Sequence, residues 1–420
     1  MAEEPERTLM VREDSEVRRN VAGEEKTHFL EMPMPPLSLY IHLPWCVQKC
    51  PYCDFNSHGL KGTLPETAYV DALLRDLDQD LPRVTGRTIE TVFFGGGTPS
   101  LFTPAGIARI LDGARGRLGF AKDAEITLEA NPGTVERGRF TEYRAAGVTR
   151  LSIGVQSFDA AALKVLGRIH SSGEAVTAAE EAHAAGLSNF NLDLMYALPG
   201  QSLAGARDDI EKAAALQPAH LSHYQLTLEP NTLFHAHPPV LPDEDTAWAM
   251  QEDCQALLSV RGYGQYEISA YARAGCECRH NLNYWRFGDY LGVGAGAHGK
   301  LTDASGRVTR LWKVKHPETY LKTAGRAESL GGVSEVGSGD LAFEFMLNRL
   351  RLMQDLEEAE FETATGLSRS LIEPGLSRAR SLELMEVTPT GWRITARGHA
   401  YLNDLQSVFL PAAAKGDARA

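Results

Sequence analysis

Three cysteines fall within eight residues, in Cys46-Val-Gln-Lys-Cys50-Pro-Tyr-Cys53, directly after the apolar run SLYIHL. A loop of that length can fold three thiolates around one metal centre, and soft sulfur ligands select iron–sulfur clusters, zinc or copper(I). A structural zinc site takes four ligands; only three are local, so His42 or His58 would have to complete it. A [4Fe–4S] cluster on three cysteines instead leaves one iron open to a small molecule. Three buried structural thiols are the remaining alternative. With six cysteines in 420 residues, a disulfide framework is not expected, and a reducing compartment suits the chain.

Further polar residues close or interrupt apolar runs. Phe94-Gly95-Gly96-Gly97-Thr98-Pro99 follows one such run, and glycines there let the backbone come close to a ligand; the alternative is a plain tight turn. Glu129 in EANP, Gln156 in GVQS and Asp193 in NLDLMYALPG are either satisfied core polars or the wall of a pocket. In Arg279-His280-Asn281-Leu282-Asn283-Tyr284-Trp285 a histidine neighbours two flat aromatic faces. Its neutral imidazole can ligate haem iron, although most such histidines are hydrogen-bonded structural residues. Cys276-Glu-Cys278 reads as a surface loop rather than a metal pair, and Cys254 is weakly placed.

The elements that must position these groups alternate in kind. SLYIHL, TVFF, EITLEA, LSIGVQ, FNLDLMY and HLSHYQLTL are six strand candidates, with helical patterns between them. Thr103-Pro104 opens one helix, and Gly147 and Gly186 each end another before a buried strand. Repeated βα units require a parallel sheet covered by helices. The expected fold is α/β: a partial (β/α)6 barrel over 36–235, with its chemistry on the loops after the strand ends. A connecting region at 236–335 and an α+β winged-helix-like domain at 336–412 follow, and tails at 1–35 (acidic) and 413–420 are expected to be disordered.

The balance of 42 basic against 55 acidic residues gives a charge of −13. No basic patch offsets it, and the winged-helix-like domain lacks a basic recognition helix, so nucleic acid is not an expected partner. No apolar run approaches the roughly 20 residues that span a bilayer, and the N-terminal segment lacks a signal peptide's apolar core. A cytoplasmic protein is expected, with membrane association only peripheral and through partners; the oligomeric state is not legible.

The cysteine spacing, GGGTP and RHNLNYW together resemble the radical S-adenosylmethionine (SAM) superfamily, and within it the oxygen-independent coproporphyrinogen III oxidase-like family, over most of the chain. The resemblance implies a [4Fe–4S] cluster on Cys46, Cys50 and Cys53. It also implies SAM contacts from Tyr40, Tyr52, Gly96, Gly97, Thr98, Glu129, Gln156, Arg168 and Asp193. In that chemistry one electron cleaves the sulfonium to methionine and a 5′-deoxyadenosyl radical, while the protein orients SAM and excludes water.

Two features divide the family. The oxidase proper has a further cysteine two positions after the third, where this chain has Phe55; the departure argues against oxidative decarboxylation. The HNxxYW sequence at His280–Trp285, with YEIS at 266–269 and GDYLGVGAGAHG at 288–299, resembles the haem chaperones of the HemW type. That resemblance implies haem bound through His280 and passed to apoproteins such as respiratory enzymes. Ala270 stands where an asparagine is usual, and Cys276 and Cys278 are additions to the pattern that would offer haem attachment or be inert. The competing reading is the coproporphyrinogen III oxidase, forming protoporphyrinogen IX in porphyrin biosynthesis.

Overall fold

The computed structural model describes residues 34–133 and 138–411. The tails expected at 1–35 and 413–420 lie, apart from Met34 and Pro35, outside the described residues. Six strands form where the apolar runs lie: β1 Leu37–Leu43, β2 Thr88–Gly96, β3 Gly119–Ala130, β4 Arg150–Gln156, β5 Phe190–Tyr196 and β6 His220–Gln225. They pair in chain order, all parallel. β4 is buried along six of its seven residues, as a strand covered on both faces must be.

The helices α1 Glu66–Asp80, α2 Pro104–Arg115, α3 Phe140–Ala145, α4 Ser172–Ala184 and α5 Leu203–Ala215 cover the outside, and α6 Glu244–Val260 follows β6. Their starts are written in the sequence. Thr103 caps α2 by accepting from Gly106 N–H at 3.0 Å, and Ser171 with Glu174 closes a reciprocal capping box on α4. The expected partial (β/α)6 barrel is present.

Residues 236–335, read from the sequence as a connector, extend the same sheet. β7 Gly264–Glu267 and β8 Ala270–Ala272 add to the β6 edge. β9 Asp289–Val293 lies parallel to β1, and β10 His298–Thr302, β11 Val308–Lys313 and β12 Leu330–Glu335 continue antiparallel from it. The result is a twelve-stranded sheet in the order β12-β11-β10-β9-β1-β2-β3-β4-β5-β6-β8-β7. A short helix, α7 Arg279–Trp285, carries the HNxxYW residues between β8 and β9.

The extension is tied to α1 by buried charge. Lys313 Nζ on β11 meets Asp76 Oδ1 at 2.5 Å and Asp80 Oδ2 at 2.6 Å, with no exposed side-chain surface on any of the three. Tyr320 donates to Asp76 Oδ2 at 2.6 Å. The C-terminal part has a separate core: Phe345 and Met346 on α8 Ser338–Arg349, Leu376 on α9 Glu373–Ser381, and Trp392 of a small sheet. That sheet comprises β13 Leu356–Glu357, β14 Met385–Thr388 and β15 Gly391–Ile394 in the order β13-β15-β14, a winged-helix-like arrangement.

Candidate functional site

The loops and strand ends at the C-terminal side of β1–β6 enclose a cavity of about 380 Å³, within the range of small-ligand sites. Cys46, Cys50, Tyr52, Cys53, Gly96, Gly97, Thr98, Glu129, Gln156, Arg168 and Asp193 all line it. Eleven of the twelve residues singled out above as cluster or SAM contacts thus line this wall, and Tyr40 does not. Tyr40 sits one layer lower in the barrel, stacked on Phe93 with ring centroids 6.4 Å apart, its hydroxyl 3.0 Å from His42 Nδ1.

The cysteine loop is held from several sides. His58 N–H donates to Pro44 O at 2.7 Å, and Asn56 Nδ2 donates to Ala295 O at 2.8 Å and Lys315 O at 2.9 Å. The histidines that a zinc site would need are engaged elsewhere. His42 Nε2 lies 2.9 Å from Asn56 O, and His58 Nε2 lies 3.2 Å from Asn56 Oδ1. Among the described residues no three Cys, His, Asp or Glu side chains converge on a single ion's position. A cubane puts its three protein thiolates on three different irons, and three sulfurs bordering one cavity fit that donor set. Burial pushes the Cys46 and Cys53 thiols up, so thiolate there depends on a partner positive charge.

The glycine turn is built for close approach. Gly96 has φ +116°, and a Cβ on it would meet the His42 ring at 2.6 Å. On Gly97 a Cβ would meet Trp45 O at 2.5 Å, where Thr98 N–H donates to that same carbonyl at 2.7 Å. The turn therefore lies directly on the strand end that feeds the cysteine loop. Gly96 N–H donates to Glu129 Oε2 at 3.2 Å.

Glu129 and Asp193 bring two carboxyls to one wall. Burial and then the nearby Asp193 push the Glu129 carboxyl up to about 8, and burial raises Asp193, which accepts from Ser152 Oγ at 3.0 Å and Asn191 Nδ2 at 2.9 Å. Opposite them, Arg168 donates to Asn131 Oδ1 at 2.5 Å, Gly154 O at 2.7 Å and Cys50 Sγ at 3.6 Å. Its Nε is buried with no hydrogen-bond partner among the described residues. Gln156 holds φ 66° at the end of β4, a conformation uncommon outside glycine. Carboxyls that need a cation face a guanidinium with a spare donor, so the wall matches a ligand carrying both a cation and a carboxylate.

A pH dependence follows. At neutral pH Glu129 is largely protonated, and a cationic ligand that needs the carboxylate must displace that proton. Affinity for SAM is expected to rise about tenfold per pH unit below pH 8 and to level off above it. Isothermal titration across that range should show the slope in the wild type and a flat line in Glu129→Gln.

Residues 40–228 match the radical SAM superfamily. The chain is 53% identical over 377 residues to a protein of Escherichia coli described as "Heme chaperone HemW", covering 90% of this chain and 99% of that one. It is 38% identical over 341 residues to the "Heme chaperone HemW" of Mycobacterium tuberculosis, covering 79% and 86%. The chain belongs to the HemW family. Among solved structures, the E. coli coproporphyrinogen III oxidase HemN, a radical SAM enzyme, superposes with a TM-score of 0.77 over 90% of this chain and 91% of that one, at 24% identity. The likeness shows the fold. Membership of the radical SAM superfamily implies a [4Fe–4S] cluster and SAM, and the donor set described above fits both.

The other HemW-family motif lies at the far end of the barrel. His280 is 1% exposed; its Nδ1 is 2.8 Å from Thr91 Oγ1 and its Nε2 is 3.1 Å from the Tyr284 hydroxyl. Thr91 lies five residues before Gly96 on β2, or roughly 16 Å along the strand. Both ring nitrogens are engaged, so an iron ligand at His280 requires Tyr284 to give way. Burial and then Arg150 hold the imidazole down at about 3, neutral, as ligation needs. Glu125 accepts from the N–H groups of His280 and Arg279 at 3.1 and 3.3 Å, pinning the first turn of α7. Cys278 departs from the surface-loop expectation: it is 1% exposed, with its sulfur 3.7 Å from Glu125 Oε1. Cys276 is half-buried and Cys254 is buried on α6.

Sequence reasoning missed Ser57, Asn131, Ser152, Met195, Tyr224, Gln225, Thr227 and Glu229 on the cavity wall. The signal for several was available. Asn131, Tyr224 and Gln225 sit at the C-terminal ends of β3 and β6, where barrels of this kind place their chemistry.

Proposed function

We propose that this chain is a haem chaperone that binds haem at the HNxxYW helix and hands it to apoproteins such as respiratory enzymes, acting in the cytoplasm. What carries the reading is the 53% identity to the E. coli protein named heme chaperone, over nearly the full length of both chains. Phe55 on the cavity wall supports it, since the oxidase reading expects a cysteine there. No helix among the described residues is long and apolar enough to cross a membrane, so any membrane association in this reading is peripheral and through partners.

Within the proposal Cys46, Cys50 and Cys53 hold the cluster. Gly96, Gly97, Thr98, Glu129, Gln156, Arg168, Asp193 and Tyr52 hold SAM, and Tyr40 supports the cavity from below. When bound, the pair supplies one-electron chemistry. The residues of this chain orient the sulfonium ligand, keep water out and set the charge around it. Haem lies at the other end of the barrel, so cluster and SAM act on its loading or release and not on its carbon skeleton.

The test is an anaerobic haem titration of wild-type and His280→Ala protein, followed at the Soret band with cluster content measured in both. Saturable binding weakened at least about tenfold by the substitution is expected. Binding indifferent to His280 would remove the haem site from this helix. Conversion of coproporphyrinogen III to protoporphyrinogen IX by reduced, SAM-supplied protein would replace the chaperone reading with the oxidase.

A further inference from the structure

Each of the three cluster cysteines has a polar partner of its own. Arg168 lies against Cys50 at 3.6 Å. The Thr98 hydroxyl faces Cys46, and Thr98 Oγ1 accepts from Asn131 Nδ2 at 3.0 Å, which leaves its own proton for the sulfur. Ser57 Oγ lies 3.6 Å from Cys53 Sγ and also faces Cys46. Arg168 and Thr98 are expected SAM contacts as well; Ser57 lines the same cavity without being one of them.

We propose that Ser57 is a positioning residue of the cluster centre, its hydroxyl donating to the Cys53 thiolate and raising the reduction potential of the cluster held there. The proposal rests on the cluster assignment above. A ligated thiolate can only accept, so the hydrogen bond seen between the two side chains must run from Ser57 to sulfur once the thiol has lost its proton. Ser57 is 5% exposed, and the acceptors its hydroxyl faces among the described residues are the Cys53 and Cys46 sulfurs, so its proton goes to a cluster ligand.

Its place is set before any cluster arrives. Ser57 N–H donates to Phe55 O at 2.6 Å, Lys49 Nζ donates to Ser57 O at 3.2 Å, and the flanking Asn56 and His58 are tied to the barrel as described above. A hydrogen bond to a ligating sulfur stabilises the reduced cluster more than the oxidised one, because reduction adds negative charge that the sulfurs share. Losing it makes the potential more negative. The ligand set is untouched, so cluster content should not change.

The experiment uses the full chain, reconstituted anaerobically as wild type, Ser57→Ala and Ser57→Thr. Iron and sulfide content is read first, so that failure of the cluster assignment shows in the wild type before potentials are compared. Midpoint potentials then come from redox titration followed by electron paramagnetic resonance. The expected result is full cluster content in all three, a more negative midpoint in Ser57→Ala and a wild-type midpoint in Ser57→Thr. An unchanged midpoint in Ser57→Ala overturns the proposal. So does loss of the cluster from Ser57→Ala, which would assign the hydroxyl to holding the loop instead of tuning the centre.

Discussion

Alanine at any one of Cys46, Cys50 or Cys53 is expected to abolish the brown absorbance of anaerobically reconstituted protein, with iron and sulfide falling close to zero. The three sulfurs border one cavity, and the two histidines beside the loop are not free to replace one of them. His42 and His58 are engaged with Asn56, and His42 also with Tyr40. Removing one thiolate therefore leaves two, too few to hold a cubane in water-accessible surroundings. The same variants should lose SAM affinity, because the open iron is one of the ligand's anchors in this chemistry. Cys254→Ala and Cys276→Ala are the controls: both lie away from the cavity wall and should keep a full cluster. Circular dichroism of each variant separates cluster loss from unfolding. A single cavity cysteine variant with wild-type iron content would show that the ligand set is different.

The largest expected effect on stability is at Lys313. Its ammonium is the shared counter-ion of Asp76 and Asp80, and all three side chains are fully buried. Breaking such a group from one side costs about 3–5 kcal/mol, chiefly because two buried carboxylates lose their shared ammonium and keep only Arg83, 3.4 Å from Asp80, and the Tyr320 hydroxyl on Asp76. Lys313→Met is expected to lower the unfolding free energy by that amount, read as a lower midpoint in denaturant. Burial already raises the Asp76 carboxyl and the lysine opposes that rise, so removing the lysine pushes the folded-state value further up. A carboxyl raised on folding binds more protons in the native than in the unfolded state. The deficit should therefore shrink as the pH falls and widen as it rises. A triple variant with Met at 313 and Asn at 76 and 80 should recover much of the loss. If Lys313→Met unfolds at the wild-type denaturant concentration, the pair is not what joins the sheet extension to α1.

Much of this architecture was legible because the barrel strands are covered on both faces. A strand such as LSIGVQ, buried at Leu151, Ser152, Ile153, Gly154 and Val155, leaves an apolar run that no alternation dilutes. The added strands β9 and β10 hid themselves for the opposite reason. They contain Gly292 and Gly299 and are joined through Gly294 and Gly296, and a Cβ on Gly292 would fall 2.0 Å from His298 O. Close backbone approach needs glycine there, and glycine is depleted in ordinary strands. Within the site, the cysteines, the glycine turn and Glu129, Gln156 and Asp193 could be picked out because each breaks or ends an apolar run, whereas Arg168 came from the family resemblance alone. Ser57 could not be picked out, since Ser in a loop after a strand usually means only a turn. Tyr40, which the family resemblance proposed as a SAM contact, stacks on Phe93 with its hydroxyl against His42.

The short α7 is gripped at both ends by different parts of the molecule. Glu125 of the barrel holds its first turn. Just past its last turn, Phe287 is buried in the C-terminal core, its ring 5.7 Å from Phe345, while Arg351 lies over the Trp285 ring at 4.2 Å. The HNxxYW segment is thus shared between two hydrophobic cores, so the packing around Phe345 fixes the end of the helix that carries the Tyr284 hydroxyl onto His280.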